Sequence, residues 1–469
     1  MRRSSSTSSG GKLIDNSILS ELFGDAEIAA HLSGEAEIKA MLQVEAALAV
    51  VEARLGVIPE AAGPAIASAL DGFTLDPNEL AGPTLGSGVP VPGLVKLLRE
   101  RVGGEYGGYI HWGATTQDVM DTAFVLRVRT ILDLLEERLK ALIATLANKA
   151  EAYAEQPLAG RTRSQIATPI TLGLRIANWL GPLGRCGDRL DDLRERLLVV
   201  QFGGASGNLS ALGEKGIEVA DALADELGLR RAAKQWHTER DTLVELGNWL
   251  SMLTGCIGRI GADLILMQRS EIAEVKAGKG GGSSTMPQKA NPVAAEALVT
   301  LARTMVGHSA SLQQALIHTE ERDSTAWAIE WLTLPTMLEA TGAALRHVNG
   351  LASSLEARPQ NIERNLAIGG GVIYAEAIAF ALAEQMPLGD AQTIVKQAVA
   401  EMQGAERMLI DHVNRIAVDK GFQAVKLPEA SATGSDAEMI HRTLCDPSIS
   451  GCRPMADRTW HVRREDDSA

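Results

Sequence analysis

The most informative segment of the chain is GKGGGSSTMPQKANP, residues 278–292. Its four glycines and two adjacent serines exclude a helix interior and predict a mobile loop, and Pro292 suits the start of the following helix. The loop offers hydroxyls, backbone N–H groups without side-chain shielding, a lysine and an amide, which together are suited to holding a carboxylate and stabilising negative charge. On composition alone a Gly/Ser linker is the alternative, but a linker has no need of Met-Pro, Lys and Asn-Pro in this arrangement.

Apolar residues at helical spacing dominate the chain on both sides of this loop, and no long strand-like alternation or internal repeat is apparent. The predicted fold class is therefore all-α. Five long helices are predicted, over 117–155, from Pro169 to Val200 with a kink at Pro182, over 238–273, over 292–318, and over 324–355 with an interruption at Pro335. One bundle cannot easily cover the apolar faces of all five, which predicts association of several copies.

The domain organisation follows from where this pattern begins and ends. We expect a disordered leader over 1–16, an N-terminal helical domain over 17–112 with a clear helix at 35–55 and a loop at 82–93, a central long-helix bundle over 113–365 that carries the loop 278–292, a C-terminal helical domain over 366–420, and a partly disordered tail over 421–469.

Composition argues against several function classes. The 469 residues carry a net charge of −14, which argues against nucleic acid as the main partner, although a locally basic site can still bind an anion. A run of roughly 18 apolar residues is lacking, so no membrane span is predicted; the start MRRSSSTSSGGK lacks the apolar region of a secretion signal, so a cytoplasmic location is expected. The four cysteines lack metal-site spacing and no nucleotide loop is present, so neither a metal nor an organic cofactor is expected.

Residues 282–292 match GSSxMPxKxNP completely, and in this the chain resembles the fumarase/aspartase superfamily, whose signature loop this is. HWGATTQDVMDTA at 111–123 and GRTRSQIATPITLG at 160–173 are similar to its other two signature blocks, and the resemblance covers roughly residues 20–415. Three further segments are most similar to bacterial 3-carboxy-cis,cis-muconate cycloisomerases, and next to adenylosuccinate lyases: QFGGASGNLSALG at 201–213, QWHTERD at 235–241 and ERDSTAWAIEWLTLP at 321–335.

The resemblance implies an elongated central helical bundle flanked by two smaller helical domains, a homotetramer whose core is a bundle of shared helices, and active sites built from three subunits each. It also implies the roles of individual residues. Ser283 would take or give the proton on the carbon α to a carboxylate, and Lys289 and Asn291 would bind that carboxylate. The remaining implied residues are Thr115, Thr116, Gln117 and Gln165 at the carboxylate site, with Ser284, Met286 and Glu296 in supporting positions.

A serine hydroxyl is a poor base, so this role needs a physical reason. The Ser283 alkoxide would have to be stabilised by backbone N–H groups of the glycine-rich loop and by the charge of Lys289. Removal of the α proton turns the substrate carboxylate into an enediolate. Lys289, Asn291 and the Thr116 hydroxyl would hold this more negative group better than they hold the ground state.

The second block departs from much of the superfamily at Arg163, where fumarases, aspartate ammonia lyases and adenylosuccinate lyases carry His. Histidine suits the protonation of water or an amine as it leaves, whereas arginine stays charged near pH 7 and cannot act as that acid. A reaction that adds or expels a carboxylate needs no such acid, and lactonisation of a muconate is of this kind. Two interpretations stay open: Arg163 binds a third substrate carboxylate, or it forms an ordinary buried ion pair with Glu296.

Three more candidates keep two interpretations each. His111 either hydrogen-bonds the substrate or is a structural histidine, and His237 either reaches the site of another subunit or is structural. Arg322 either binds a carboxylate, which its planar fork matches, or forms a solvated salt bridge.

The function that the resemblance implies is cyclisation of 3-carboxy-cis,cis-muconate to a carboxymuconolactone, by intramolecular carboxylate addition and proton transfer at the α carbon, in aromatic-acid catabolism by the β-ketoadipate pathway. The alternatives are the same chemistry on 3-sulfomuconate, an adenylosuccinate-type lyase, and a catalytically silent scaffold of this fold. The intact Ser283, Lys289 and Asn291 speak against the silent scaffold.

Overall fold

The computed structural model describes residues 18–282, 285–287, 289–402, 408–426 and 433–452. Within these ranges the chain is helical apart from two short antiparallel strand pairs, which confirms the all-α fold class. The chain divides into two compact units, the first comprising the described residues of Met1–Leu139, Cys186–Gly258 and Ala297–His347, and the second those of Lys140–Arg185, Arg259–Glu296 and Val348–Ala469. The predicted leader lies outside the described residues, and the predicted domain boundaries stay a prediction.

The elements follow in chain order. The helices are α1 Ser20–Phe23, α2 Ala26–Leu32, α3 Gly34–Arg54, α4 Ala62–Leu70, α5 Asn78–Ser87, α6 Val91–Val102, α7 Thr116–Ala152, α8 Leu172–Leu197, α9 Gly216–Leu227, α10 Asp241–Met267, α11 Val293–Gln313, α12 Ser324–Ser353, α13 Pro359–Leu366, α14 Ala375–Ala383, α15 Leu388–Glu401, α16 Leu409–Asp419, α17 Asp436–Cys445 and α18 Pro447–Ser450. The strands are β1 Pro157–Thr162, paired with β2 Gln165–Thr171, and β3 Val275–Lys276, paired with β4 Glu356–Ala357.

The predicted long helices are present, and α7 shows why. Its apolar residues recur at helical spacing, and Ile131, Leu135 and Leu139 are almost completely buried, as the predicted stripe requires. The predicted interruption of α12 at Pro335 is wrong, because the helix continues through the proline. Leu334 and Met337 are buried beside it, so packing outweighs the backbone hydrogen bond that a proline cannot make.

The predicted start of the second long helix at Pro169 is also wrong. Pro169 lies in β2 opposite Ala159, and α8 begins only at Leu172. The two strands are joined by Arg163 and Ser164, whose φ values of 49° and 67° give the left-handed two-residue turn that suits a hairpin. Such turns usually carry Asn-Gly or Asp-Gly, so the sequence gives no hairpin signal here.

The predicted loop at 82–93 is largely helical. It spans the end of α5, which contains Pro83, and the beginning of α6. The glycine at 93 serves packing rather than flexibility, since a Cβ on Gly93 would lie 2.7 Å from the Cβ of Pro83. Leu80 is buried and helps to hold α5 on the core of the first unit.

Helix α10 is the one helix among the described residues that is long and apolar enough to cross a membrane, by length and composition only. Half of its most apolar window is buried inside the structure, and core helices pass the same test. Leu250, Leu253 and Ile257 are completely buried, so packing in the protein accounts for part of this composition.

Part of the predicted tail is ordered. Residues 433–452 contain α17 and α18, and the Asp436 carboxylate accepts a hydrogen bond of 2.6 Å from the backbone N–H of Thr171. This contact fixes α17 to the end of β2 within the second unit. The remaining parts of the tail, 427–432 and 453–469, lie outside the described residues.

Candidate active site

In the first unit, the turn that leads into α7 is built around the buried carboxylate of Asp118. Its oxygens accept backbone N–H groups from Thr115, Gly203 and Gly204, each at 2.9 Å. His237 Nε2 donates to the same carboxylate at 2.7 Å. Four donors on one buried carboxylate fix the Thr-Thr-Gln turn to two other segments of the chain, 201–213 and 235–241. Asp118 is not among the predicted site residues, although the T-x-x-D spacing from Thr115 is a capping-box signal.

His237 is completely buried, and its Nδ1 has no hydrogen-bond partner among the described residues. The side chain of Gln117 is buried as well; its Nε2 donates to the backbone oxygen of His237 at 2.9 Å and to Asp121 at 3.2 Å. Both side chains thus make contacts inside the unit, which favours the structural interpretation of His237. Their predicted contact with substrate stays a prediction.

Thr115 and Arg322, both predicted site residues, lie together. Arg322 Nη1 donates to the hydroxyl of Thr115 at 2.5 Å, and the Arg322 side chain is exposed. Asp323 caps the start of α12 by accepting the backbone N–H groups of Thr325 and Ala326, and these bonds, with those from Thr319, lower the pKa of Asp323 to about 2. The cap sets where α12 begins and so holds Arg322 beside the turn. Thr116 follows in the first turn of α7 and is half-buried.

His111 is held by a buried carboxylate that the sequence does not single out. Its Nδ1 lies 2.7 Å from Oε1 of Glu45 on α3, whose side chain is completely buried. Burial on its own would lower the pKa of His111, but the charge and hydrogen bond of Glu45 and the charge of Asp118 outweigh it, so the pKa is raised. Further along α3, burial raises the pKa of Glu52 to about 9, with an additional contribution from the charge of Glu45.

A second buried network lies in the same unit. Arg240 is completely buried and donates two hydrogen bonds to Asp121, at 2.7 and 3.0 Å, and two to Glu330, at 2.8 and 2.5 Å. Trp327 is buried and donates from Nε1 to Asp121 at 3.0 Å. Burial raises the pKa of Glu330 to about 7, against the opposing effect of Arg240. The network joins α7, the residue preceding α10, and α12.

In the second unit, the glycine-rich loop is closed at its base. Gly281 and Asn291 exchange two backbone hydrogen bonds of 2.8 Å, and the backbone N–H of Lys289 donates to the carbonyl of Met286 at 3.0 Å. Helix α11 begins directly after Pro292, close to its predicted start. Met286 and Lys289 are exposed and Asn291 is half-buried. The loop therefore presents the lysine at its surface; Ser283, Ser284 and Gln288 lie outside the described residues.

Arg163 and Gln165 lie at the tip of the β1–β2 hairpin, and both are exposed. Glu296, on the first turn of α11, is exposed too, so Arg163 and Glu296 do not form a buried ion pair within this chain. The arginine of this block that pairs with a buried carboxylate is Arg161, which makes two hydrogen bonds to Glu274, at 2.9 and 2.7 Å. This pair anchors the hairpin and leaves Arg163 available at its tip.

Among the described residues, no group of three or more His, Cys, Asp or Glu side chains is arranged to hold a metal ion. The predicted candidates instead form two local sets. Thr115, Thr116, His111 and Arg322 lie around the start of α7 in the first unit, while Met286, Lys289 and Asn291 lie at the base of the loop in the second. The first set offers two hydroxyl groups, an imidazole and a guanidinium, and the second offers an ammonium and an amide; all of these are groups that can bind a carboxylate.

Comparison with known proteins gives consistent results. A family model described as lyase matches residues 16–307. The chain is 40% identical to a 3-carboxy-cis,cis-muconate cycloisomerase of Pseudomonas aeruginosa, over 87% of this chain and 92% of that one. It is 34% identical to trans-aconitate decarboxylase 1 of Mycosarcoma maydis, over 92% and 89%. The crystal structure of the 3-carboxy-cis,cis-muconate lactonizing enzyme of Pseudomonas putida superposes with a TM-score of 0.87 at 35% identity, covering 93% of this chain and 100% of that one.

Proposed function

The chain belongs to the lyase family of fumarase/aspartase-type enzymes, and we propose that it converts 3-carboxy-cis,cis-muconate to a carboxymuconolactone. The observation that carries the proposal is the similarity to cycloisomerases over nearly the whole chain, with the loop 282–292 intact. The similarity to a decarboxylase shows that this scaffold serves more than one reaction on polycarboxylates, so the substrate needs its own test.

In the proposed reaction one substrate carboxylate attacks the conjugated double bond, and a proton is delivered to the carbon α to another carboxylate. Ser283 carries this proton. Lys289 and Asn291 bind the carboxylate next to that carbon and stabilise its enediolate form. Lid closure by the glycine-rich loop excludes water and strengthens these contacts.

The exposed Arg163 supports a reaction that needs no leaving-group acid. It keeps its charge near pH 7 and cannot protonate an amine or water as it leaves. At the tip of a hairpin anchored by Arg161 and Glu274, it is positioned to meet an anionic group. An adenylosuccinate-type lyase fits this residue less well, since its leaving group is an amine.

We further propose that the enzyme is a homotetramer with active sites built from three subunits, and that it acts in the cytoplasm in aromatic-acid catabolism. Large apolar side chains exposed on the long helices support the association: Leu332 is 79% exposed and Val306 is 64% exposed, and Met252 and Trp331 are exposed as well. Burial of such residues between copies is favourable because it removes apolar surface from water.

The experiment is a substrate panel with the purified full chain. We would follow the ultraviolet absorbance of 3-carboxymuconate, its sulfonated analogue and adenylosuccinate, and carbon dioxide release from trans-aconitate. Loss of the conjugated-diene absorbance of 3-carboxymuconate, at a kcat/KM well above that of the other three, is the expected result. Preference for the sulfonated compound would move the assignment to a sulfomuconate cycloisomerase, and inertness toward all four would contradict the proposal.

A further inference from the structure

A pocket in the first unit lies between α6 and the residues that lead into α7. Its lining includes Val91 and Val95, with apolar side chains, and Lys96, Arg99, His111 and Thr116. Two of these, His111 and Thr116, belong to the candidate active site, whereas Lys96 and Arg99 have been given no role so far. The lining thus combines apolar side chains with hydroxyl and cationic groups.

The charges in this pocket are mostly positive. Lys96 and Arg99 are three residues apart on α6, which places them on neighbouring positions of one helix face. Arg99 Nη2 donates to the backbone oxygen of Ile110 at 3.2 Å, which ties it to the residue before His111. Glu100 is the one carboxylate among the lining residues, so cations outnumber it.

The orientation of His111 suits a ligand in the pocket. Its backbone is in the left-handed region, with φ at 64°, and its Nδ1 is occupied by the buried Glu45. This leaves Nε2 as the ring nitrogen for a ligand. The charged groups around the ring are Glu45 on α3, Asp118 on α7 and Arg99 on α6, and the net effect is to raise the pKa of His111. The ring therefore adds a further positive charge at pH values nearer neutrality than an ordinary histidine does.

We propose that this pocket binds the carboxylate that distinguishes a carboxymuconate from a plain muconate, with Lys96 and His111 as its charged contacts and Glu45 as the residue that positions His111. The inference rests on the proposed function in taking the substrate to be a tricarboxylate. It assigns the third carboxylate to α6 and His111, in place of Arg163. The apolar wall of Val91 and Val95 would face the carbon chain of the substrate.

The test uses two probes that cannot react, tricarballylate with three carboxylates and glutarate with two, titrated into the full-length protein by calorimetry. The wild-type protein is expected to bind tricarballylate more tightly. Lys96→Met is expected to reduce that preference by about tenfold, the usual effect of losing a charged hydrogen bond. Lys39→Met, which removes an exposed lysine that does not line the pocket, is expected to keep the preference.

A wild-type protein without the tricarboxylate preference would overturn the proposal. A Lys96→Met variant that keeps the wild-type preference for tricarballylate would overturn the proposal too. The same holds if Arg163→Ala, and not Lys96→Met, loses this preference. Neither probe is turned over, so the binding result does not depend on the reaction. A protein that fails to cyclise 3-carboxymuconate but shows a Lys96-dependent preference for tricarballylate would contradict the proposed function and leave the pocket as a tricarboxylate site.

The role of Glu45 is tested by the pH dependence of tricarballylate binding between about pH 6.5 and 9, where the carboxyl groups of the probe are ionised. Affinity is expected to fall as the pH rises through the pKa of His111. In Glu45→Gln the decrease in affinity should occur at lower pH, and in His111→Gln it should be absent. Lys96→Met should weaken binding at every pH and leave the midpoint of the decrease unchanged. A merely structural Glu45 would leave the midpoint unchanged, and that result would contradict its positioning role.

Discussion

The imidazole Nε2 of His237 lies 2.7 Å from the carboxylate of Asp118, and both side chains are buried. The same carboxylate accepts three backbone N–H groups, two of them from Gly203 and Gly204. It therefore joins the turn before α7 to residues that lie 85 to 119 positions further along the chain. The position of Thr115 and Thr116 thus depends on an acid that does not itself face the site.

Asp118→Asn should destabilise the first unit. The amide has one accepting oxygen in place of two, and its NH₂ group would face backbone N–H donors. We expect a loss of about 3 kcal/mol in the free energy of unfolding, since hydrogen bonds to charged groups are worth about 1.5–3 kcal/mol each. Urea denaturation followed by circular dichroism measures it. Asp188→Asn, an exposed acid on α8, is the matched control, and equal stability of the two variants would contradict the role given to Asp118.

Arg240→Met should be more damaging still, because it leaves Asp121 and Glu330 as buried carboxylates without their cation. Removal of one partner from a buried ion pair costs about 3–5 kcal/mol, although replacement of all partners by apolar residues is often neutral. Thermal unfolding at pH 8 measures the loss. Arg231→Met breaks an exposed pair with Asp225 and should change stability little. An Arg240→Met variant as stable as the wild-type protein would show that the network does not hold α7, α12 and the residue before α10 together.

Glu52 should make the protein less stable as the pH rises. Its pKa is raised in the folded state to about 9, so folding favours the protonated form, and stability is lost between the ordinary carboxyl pKa near 4.5 and about 9. Neither carboxyl oxygen has a hydrogen-bond partner among the described residues. Glu52→Gln cannot ionise, so the difference in melting temperature between pH 5 and pH 9 should shrink. Glu60→Gln, at an exposed glutamate, is the control; an unchanged pH difference in Glu52→Gln would count against this assignment.

The sequence predicts the helices well and the polar contacts poorly, for physical reasons. The apolar stripe of α7 is a local periodic pattern, so Ile131 and Leu135 could be assigned to the core without knowing their neighbours. The β1–β2 hairpin lacks the usual turn residues, since Arg163 and Ser164 occupy the left-handed positions. In α5, Pro83 lies inside the helix and packs closely against Gly93, a tertiary contact that its local sequence does not show.

The residues that support the candidate site could not be identified from the sequence, for a different reason. Glu45 is one acid among several on α3, and only the fold brings it to His111, 66 residues further along the chain. Asp118 had a local signal in its spacing from Thr115, but its other partners come from distant segments. Motifs identify residues that meet the substrate, whereas the acids that hold those residues are found from tertiary contacts.

The role of Ser283 as proton carrier is tested by the turnover of 3-carboxymuconate by Ser283→Ala, compared with the wild-type protein and with Ser87→Ala as an exposed control serine. We expect kcat to fall by roughly 10²–10⁴, the usual contribution of a positioned proton carrier, while the circular dichroism spectrum is unchanged. The control should keep wild-type turnover. Near-normal turnover by a folded Ser283→Ala variant would contradict the central claim that this serine moves the proton.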